Sequence, residues 1–423
     1  MSGHLVVVGG GAAGMMAAGR AAQIIAEEGG DAQVLLLEKT SRLGNKLRIT
    51  GKGRCNLTND CGVDEFISHL GPHGVFMRNA FARFFVRDTI AFFHAHGVPT
   101  VTERGRRVFP ASNNAHDVAE ALRAYCLAGG VQFRYRSPVV GLTPIQEGGW
   151  RVELAEGALV AQAVILATGG LSYPGTGSTG DGYALARALG HTITPLRPGL
   201  VPLVVAEEFV SRLQGLSLRN VRATLSQGGR LLGSEFGEML FTHFGVSGPI
   251  ILTLSSRGAE ALATTGPAEL CIDLKPALDE EALDQRLLRD LSSLARARYR
   301  RFLKGLLPAS LIEVFAERTD ISLDEPLGRF TAEQRARVRH LLKHFCLTVT
   351  GTRPIQEAIV TLGGVACDEI VPQTMASRLH RGLYMAGEIL DVAGDTGGYN
   401  LQVAFTTGFV AGENAARALG NGR

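Results

Sequence analysis

Several groups of residues in this chain have the types and spacing to do chemistry. Gly9-Gly10-Gly11-Ala12-Ala13-Gly14 is a G-x-G-x-x-G run directly after the apolar stretch His4–Val8. In such a run Gly9 permits a tight turn and Gly11 lets the backbone approach a pyrophosphate. Gly14 lets the following helix pack against the strand. The start of that helix, at Ala12 and Ala13, offers free N–H groups and a positive dipole end to phosphates. Glu38 closes the next apolar stretch at about the ~20-residue spacing expected of an acid that binds an adenosine ribose. Lys39 follows it.

The run Ala386-Gly387-Glu388-Ile-Leu-Asp391 … Gly397-Gly398-Tyr399-Asn400-Leu401-Gln402 is the next strongest signal. An apolar strand delivers Gly387 and Glu388 to a loop, and Gly397-Gly398 open a helix. The start of that helix would stabilise negative charge at the pyrimidine edge of a reduced isoalloxazine. Asp391 would then bind a ribityl chain. The same residues also read as a helix entry and a plain turn. A polar, basic loop, Leu43–Asn59, carries Lys46, Arg48, Gly51, Lys52 and Arg54, which would meet a phosphate or a carbonyl. It also reads as a solvated loop.

Two residues could move a proton. Cys55 lies in the basic loop, and a thiol there would protonate a carbon opposite the arriving hydride. It also reads as a small packing residue. His243, in Thr242-His243-Phe244-Gly-Val-Ser-Gly-Pro249, is of the residue type whose charge change suits neutral-pH proton transfer. It also reads as a satisfied structural histidine. Tyr173 and Tyr399 are weaker donors. Gly175-Thr-Gly177-Ser-Thr-Gly180 repeats the glycine spacing, but Pro174 precedes it and no strand does. It reads as a loop beside the flavin, which leaves no separate nicotinamide-binding module.

The elements that must position these residues follow from periodicity. Strands are expected at 4–8, 32–37, 131–135, 150–154 and 163–168, the last ending in Ala167-Thr168-Gly169-Gly170. Helices are expected at 15–26, 76–97 and 114–128. After about Pro195 short strands at 200–205, 222–226, 231–234 and 268–274 suggest a small barrel. From Asp279 to Cys346 the period is helical. A strand resumes at 347–349, another falls at 382–388, and a helix runs over 400–419. The expected fold class is α/β: a Rossmann-like domain (1–195 and 350–423) interrupted by a β-rich insert (196–275) and a helical subdomain (276–349).

Composition sets outer limits. The chain has 423 residues, 45% hydrophobic and 20% charged, with a net charge of +3, so no global field marks a nucleic-acid or membrane partner. No apolar run reaches the ~18 residues of a membrane span. No signal peptide is evident, and the cytoplasm is the expected location. The six cysteines form no C-x-x-C pair, so neither a disulfide framework nor a zinc site is expected. Arg296, Arg298, Arg300, Arg301 and Lys304, with Tyr299 among them, and Arg335, Arg337, Arg339 and Lys343 read as solvated helix faces or as a nucleic-acid surface.

With these residues assembled, the chain resembles the bacterial BaiN-like flavoproteins, also described as aminoacetone-oxidase-family or NAD(P)/FAD-dependent oxidoreductases. The matching blocks are Val8–Gly14, Thr50–Asn59, Ala167–Pro174, Leu240–Pro249, Thr361–Val365, Gly387–Asp391 and Gly397–Gln402. The resemblance implies an FAD domain of the two-dinucleotide-binding type, for which a strand ending in Ala167-Thr168-Gly169-Gly170 is a second landmark. It implies FAD contacts at Ala13, Glu38, the basic loop, the Val139-Val140 backbone, Glu388, Asn400 and Leu401. Lys52 departs from the family's loop, which carries adjacent glycines there.

Family branches reduce conjugated double bonds in oxidised bile acids, oxidise small amino ketones, or convert uridine to dihydrouridine in ribosomal RNA. The expected activity is NAD(P)H-driven, FAD-dependent reduction of an activated C=C bond in a small organic substrate. An RNA-modifying flavoenzyme and a non-catalytic FAD-binding redox sensor are the alternatives.

Overall fold

The computed structural model describes residues 4–146 and 148–420. Contacts divide the chain into two units, Met1–Gly199 with Ile355–Arg423, and Leu200–Pro354.

The first unit is built on a seven-stranded sheet. Its order is Ile370–Val371, Ala376–Ser377, Leu383–Met385, Ala163–Leu166, His4–Val8, Gln33–Leu37, Gln132–Arg134. The strands from Leu383–Met385 to Gln132–Arg134 are parallel. Leu5, Val6 and Val7 are fully buried, as a run of branched apolar residues must be when helices cover both faces of a parallel sheet. The helix Ala12–Glu27 leaves the first strand at once, and its N-cap, Gly11, makes no side-chain hydrogen bond.

The last helix, Tyr399–Gly420, lies against this fingerprint helix. Glycine allows the approach: a Cβ at Gly408 would fall 2.4 Å from the Ala13 carbonyl oxygen, and one at Gly412 would fall 2.2 Å from that of Ala17. Glu413, almost completely buried, binds Arg20 Nη2 at 2.5 Å and also pairs with Arg83 and Arg417. Burial pushes its carboxyl up, but the three guanidinium groups hold it below the usual range.

The second unit is a closed six-stranded barrel in the order Leu203–Val205, Gly245–Ser247, Arg230–Thr242, Ser217–Gln227, Ala268–Asp273, Phe345–Thr352. All pairings are antiparallel. Gly228 and Gly229 both have positive φ (56° and 81°), the conformation a two-residue hairpin loop requires. The helices Glu280–Ser293, Tyr299–Lys304, Ile312–Thr319 and Ala332–Lys343 are inserted between the last two barrel strands. Barrel and helices share one apolar core, in which Phe241, Phe302, Phe315 and Phe345 are buried.

Some expectations need correction. The helix expected at 76–97 is broken into a 3-10 turn Gly71–Met77 and helices Arg78–Phe81 and Val86–Ala95. Phe85 leaves the helical region there, and its N–H donates to the Asp88 carboxylate at 2.8 Å. A local cap thus overrides the Phe-rich periodicity. The helix Pro249–Thr264 was not foreseen within the β-rich insert. The expected lack of disulfides also fails: Cys271 and Cys346 are bonded, because the register of their strands puts them opposite each other. Register between strands far apart in sequence is not visible in the spacing of cysteines.

Candidate functional site

The glycines of the fingerprint divide their work as their positions require. At Gly9 (φ 104°) a Cβ would strike the Ala167 carbonyl oxygen at 2.5 Å, and at Gly14 it would strike the Gly9 carbonyl oxygen at 1.8 Å. Both are closed positions that hold strand, turn and helix together. Gly11 differs, since a Cβ there meets nothing within 4 Å. It faces open space at the uncapped start of the helix, as a backbone cradle for a pyrophosphate must.

Glu38 stands at the carboxyl end of the neighbouring strand. Its two carboxylate oxygens accept the Gly10 N–H at 2.8 Å and the Thr40 N–H at 2.7 Å. The side chain is therefore fixed beside the fingerprint. Lys39 is committed to Asp181 at 2.6 Å. Val139 is buried and Val140 exposed at the start of the strand Val139–Pro144; just before it, the Ser137 N–H donates to the Glu38 carbonyl. In the Gly175–Gly180 loop, expected beside the flavin, a Cβ at Gly177 would touch Thr40, Lys39 and Glu38. The loop is anchored beside Glu38 by tertiary contacts from Lys39 to Thr179 and Asp181.

The C-terminal loop meets the fingerprint directly. A Cβ at Gly387 (φ 79°) would lie 2.8 Å from that of Ala13. Glu388 accepts from Lys46 Nζ at 2.6 Å, from Ser172 Oγ at 2.8 Å and from the Thr361 N–H at 2.8 Å. Lys46 also donates to Ser172 Oγ at 2.6 Å. The carboxylate and the ammonium are both partly exposed, so the pair remains open to a ligand's hydroxyl or phosphate. Ser172 and Thr361 went unassigned in the sequence, although both lie in its matching blocks. Thr361 Oγ1 also accepts the Leu171 N–H and would block any side chain at Gly170.

Asp391 accepts from Thr194 Oγ1 at 2.9 Å and lies 3.2 Å from His73 Nδ1. His69 Nδ1 similarly meets Asp395 at 2.8 Å. These two histidines, His69 just before the 3-10 turn Gly71–Met77 and His73 within it, tie that segment to the loop, and no sequence motif marked them. Asn400 bonds both backbone groups of Gly394, so any contact it makes to a ligand falls to its own backbone. Leu401 is half-buried in the next position. At Gly398 the missing side chain makes room for the Thr58 backbone, 2.4 Å from an added Cβ, and at Gly397 the nearest atom is Tyr399 Cε2 at 3.1 Å. Glycine at 398 is thus required by the neighbouring strand, a reason separate from clearance of a flat ring.

In the basic loop, Gly51 and Lys52 both take left-handed backbone angles (φ 59° and 58°). Lys52 therefore occupies a conformation that suits glycine. Arg54 is already forked onto Glu103 and Asn113 and stacks 4.2 Å over Phe109. Two buried oxygens, Asn56 Oδ1 and Thr58 Oγ1, have no hydrogen-bond partner among the described residues. Buried polar atoms left unpaired are costly, and a ligand group at this loop would satisfy these two. Thr168 and Gly169 follow the strand Ala163–Leu166, with Gly169 at φ 74° against Ser178.

Cys55 is fully buried, and burial pushes its thiol far above the ordinary range. This geometry supports packing. His243 lies in the second unit, exposed in the turn between Arg230–Thr242 and Gly245–Ser247, with its ring centroid 4.9 Å from that of Phe244. The basic stripes are largely neutralised within the unit. Arg335 and Arg339 pair with Asp284, Lys343 pairs with Asp273 and Arg298 meets Asp324. No helix among the described residues is long and apolar enough to cross a membrane.

An open backbone cradle, a carboxylate fixed beside it at Glu38 and unpaired oxygens in the neighbouring loop fit FAD. The group would be held by Gly11, Ala12 and Ala13 at the pyrophosphate and by Glu38 at the adenosine ribose. Glu388 and Lys46 would serve further along it.

Comparison with known proteins agrees with this geometry. The model of the HI0933-like protein Rossmann domain matches residues 3–414. A 3-dehydro-bile acid delta(4,6)-reductase from Clostridium scindens is 34% identical over 92% of this chain and 94% of its own length. Ribosomal RNA dihydrouridine synthases from Escherichia coli and Haemophilus influenzae are 31% and 30% identical, each over 91% of this chain and 92% of their own length. The chain belongs to the HI0933-like family, and it is an FAD-dependent oxidoreductase.

Proposed function

From membership of the HI0933-like family we infer that this chain reduces an activated carbon–carbon double bond in a small organic substrate, with NADH or NADPH as electron source. FAD, when bound, supplies hydride transfer to an electron-poor carbon. The chain's own part is to bind, orient and donate a proton. The observation that carries the reading is the open cradle at Gly11 flanked by Glu38 and, through Gly387, by Glu388. The relative named as a bile-acid reductase supplies the substrate class, a conjugated enone. Cys55 is fully enclosed, which weighs against it as the proton donor, because a donor must reach the substrate.

The test is spectroscopic. Protein reconstituted with FAD should show flavin absorption, bleach anaerobically with NADPH or NADH, and recover its colour on addition of a 3-oxo-4,6-diene steroid. Absence of a flavin spectrum after reconstitution sinks the reading. Bleaching without recovery by any organic acceptor favours a redox sensor. Ribosomal RNA is the second substrate class, on the strength of the two dihydrouridine synthase relatives. Arg296, Arg301 and Lys304 are the exposed cations of the stripe without an ion pair among the described residues. Recovery of colour with unmodified ribosomal RNA, and not with the steroid, would decide for it.

A further inference from the structure

The barrel strands Ala268–Asp273 and Phe345–Thr352 pair antiparallel, with Cys271 opposite Cys346. Inward residues alternate with outward ones. Ala268, Leu270 and Ile272 on one strand and Phe345, Leu347 and Val349 on the other are buried in the shared core. Cys271 and Cys346 fall on the opposite, outer face with exposed Glu269 and Thr348. The sulfurs are bonded, both cysteines are partly exposed, and Cys271 Sγ lies 3.3 Å from the Glu269 carboxylate.

Core packing and the backbone ladder hold the two strands together without the sulfurs. The bond can therefore open while the barrel stays folded. Its place in the chain gives it leverage, because all four inserted helices lie between the two cysteines, which are 75 residues apart. Of the other described cysteines, Cys55, Cys61 and Cys126 are buried, and Cys367 is partly buried and unbonded.

We propose that Cys271 and Cys346 form a reversible dithiol–disulfide site on the outer face of the barrel, in exchange with small thiols of the glutathione class, and that the bond clasps the base of the helical segment. In the opening direction a thiolate attacks one protein sulfur, the S–S bond breaks, and a mixed disulfide forms. A second thiolate attacks the sulfur of the small thiol in that mixed disulfide. The small disulfide leaves, and the two protein thiolates take up two protons. The two electrons come from the two small thiols, and closing runs the same steps in reverse.

The test incubates the folded, full-length protein in a series of reduced-to-oxidised glutathione ratios. It then quenches with acid, alkylates, and reads the two cysteine peptides by mass spectrometry. The expected result is a joint titration of Cys271 and Cys346 between linked and doubly alkylated forms, with an unchanged circular dichroism spectrum. Cys55, Cys61 and Cys126 should stay unlabelled. Hydrogen exchange in Glu280–Lys343 should be several-fold faster in the reduced form. The Cys271→Ser variant, which keeps one thiol, should carry a single glutathione on Cys346. A bond that stays closed in excess reduced glutathione would overturn the proposal, as would thiols that stay open in excess oxidised glutathione. So would a reduced protein that retains zinc at this pair and resists oxidation, or exchange in the helices that does not change.

Discussion

At the scale of single residues the fingerprint makes a sharp distinction between positions that look equivalent on paper. Gly11 faces open space, whereas Gly14 touches the backbone of Gly9. Gly11→Val should therefore leave thermal unfolding close to wild type and weaken FAD binding at least tenfold in a titration, because the branched side chain fills the cradle. Gly14→Ala should lower stability by about 1–3 kcal/mol, the usual cost of overpacking. Similar melting curves for the two variants would undo the assignment. Glu38 holds two backbone N–H groups, and we propose that it also accepts from a ribose. Glu38→Ala should lose a charge-assisted hydrogen bond of about 1.5–3 kcal/mol, roughly ten- to a hundredfold in FAD affinity. Wild-type affinity measured by calorimetry would show that the carboxylate serves only the turn.

At the scale of elements the site depends on how closely two helices approach. Gly408 and Gly412, one turn apart, lie on the Ala13 and Ala17 carbonyls. That contact sets the middle of the last helix against the start of the fingerprint helix. Gly408→Ala should push the helices apart, costing about 1–3 kcal/mol in chemical denaturation. It should also weaken FAD binding, although residue 408 is not among the proposed contacts. A stability loss with unchanged FAD affinity would separate helix packing from the cradle. The glycine fingerprint, its strand, its helix and Glu38 were all legible in the sequence, because local periodicity and turn chemistry specify them. The Lys46–Ser172–Glu388–Thr361 network was not, because its members come from four distant segments.

At the scale of the whole first unit, one buried cluster gives stability a pH dependence. The His191 side chain is completely buried, with Nδ1 2.8 Å from Glu369 and Nε2 2.9 Å from Ser377 Oγ. Burial lowers its pKa, and the Glu369 carboxylate opposes this only in part. The unfolded chain accepts a proton near pH 6.5 and the folded chain only at lower pH. This contribution is therefore present above about pH 6.5 and is lost as pH falls toward the folded pKa. Burial pushes Glu369 up, but hydrogen bonds from Thr192 and His191 hold it below the usual range. Its contribution is present above its unfolded pKa of about 4.3 and is lost as pH falls through the lower folded value. Denaturation midpoints should decline from pH 7 to pH 5, and His191→Gln should flatten that decline. An equal slope in the variant would place the titrating group elsewhere.

The sequence by itself determined the chemistry class. A strand, a glycine turn, a helix and a terminal acid are contiguous, so short-range sterics and hydrogen bonding specify a dinucleotide cradle without help from the rest of the chain. It also determined that an insert divides the cofactor domain, because hydrophobic periodicity changes along the chain. Only the tertiary structure decided which glycines face open space and which face neighbouring backbone, as at Gly11 against Gly398. It alone enclosed Cys55, committed Arg54 to Glu103 and Asn113, and joined Cys271 to Cys346. Each of these depends on segments tens to hundreds of residues apart being brought into register. The packing of the shared cores fixes that register, and no local pattern of residue types encodes it.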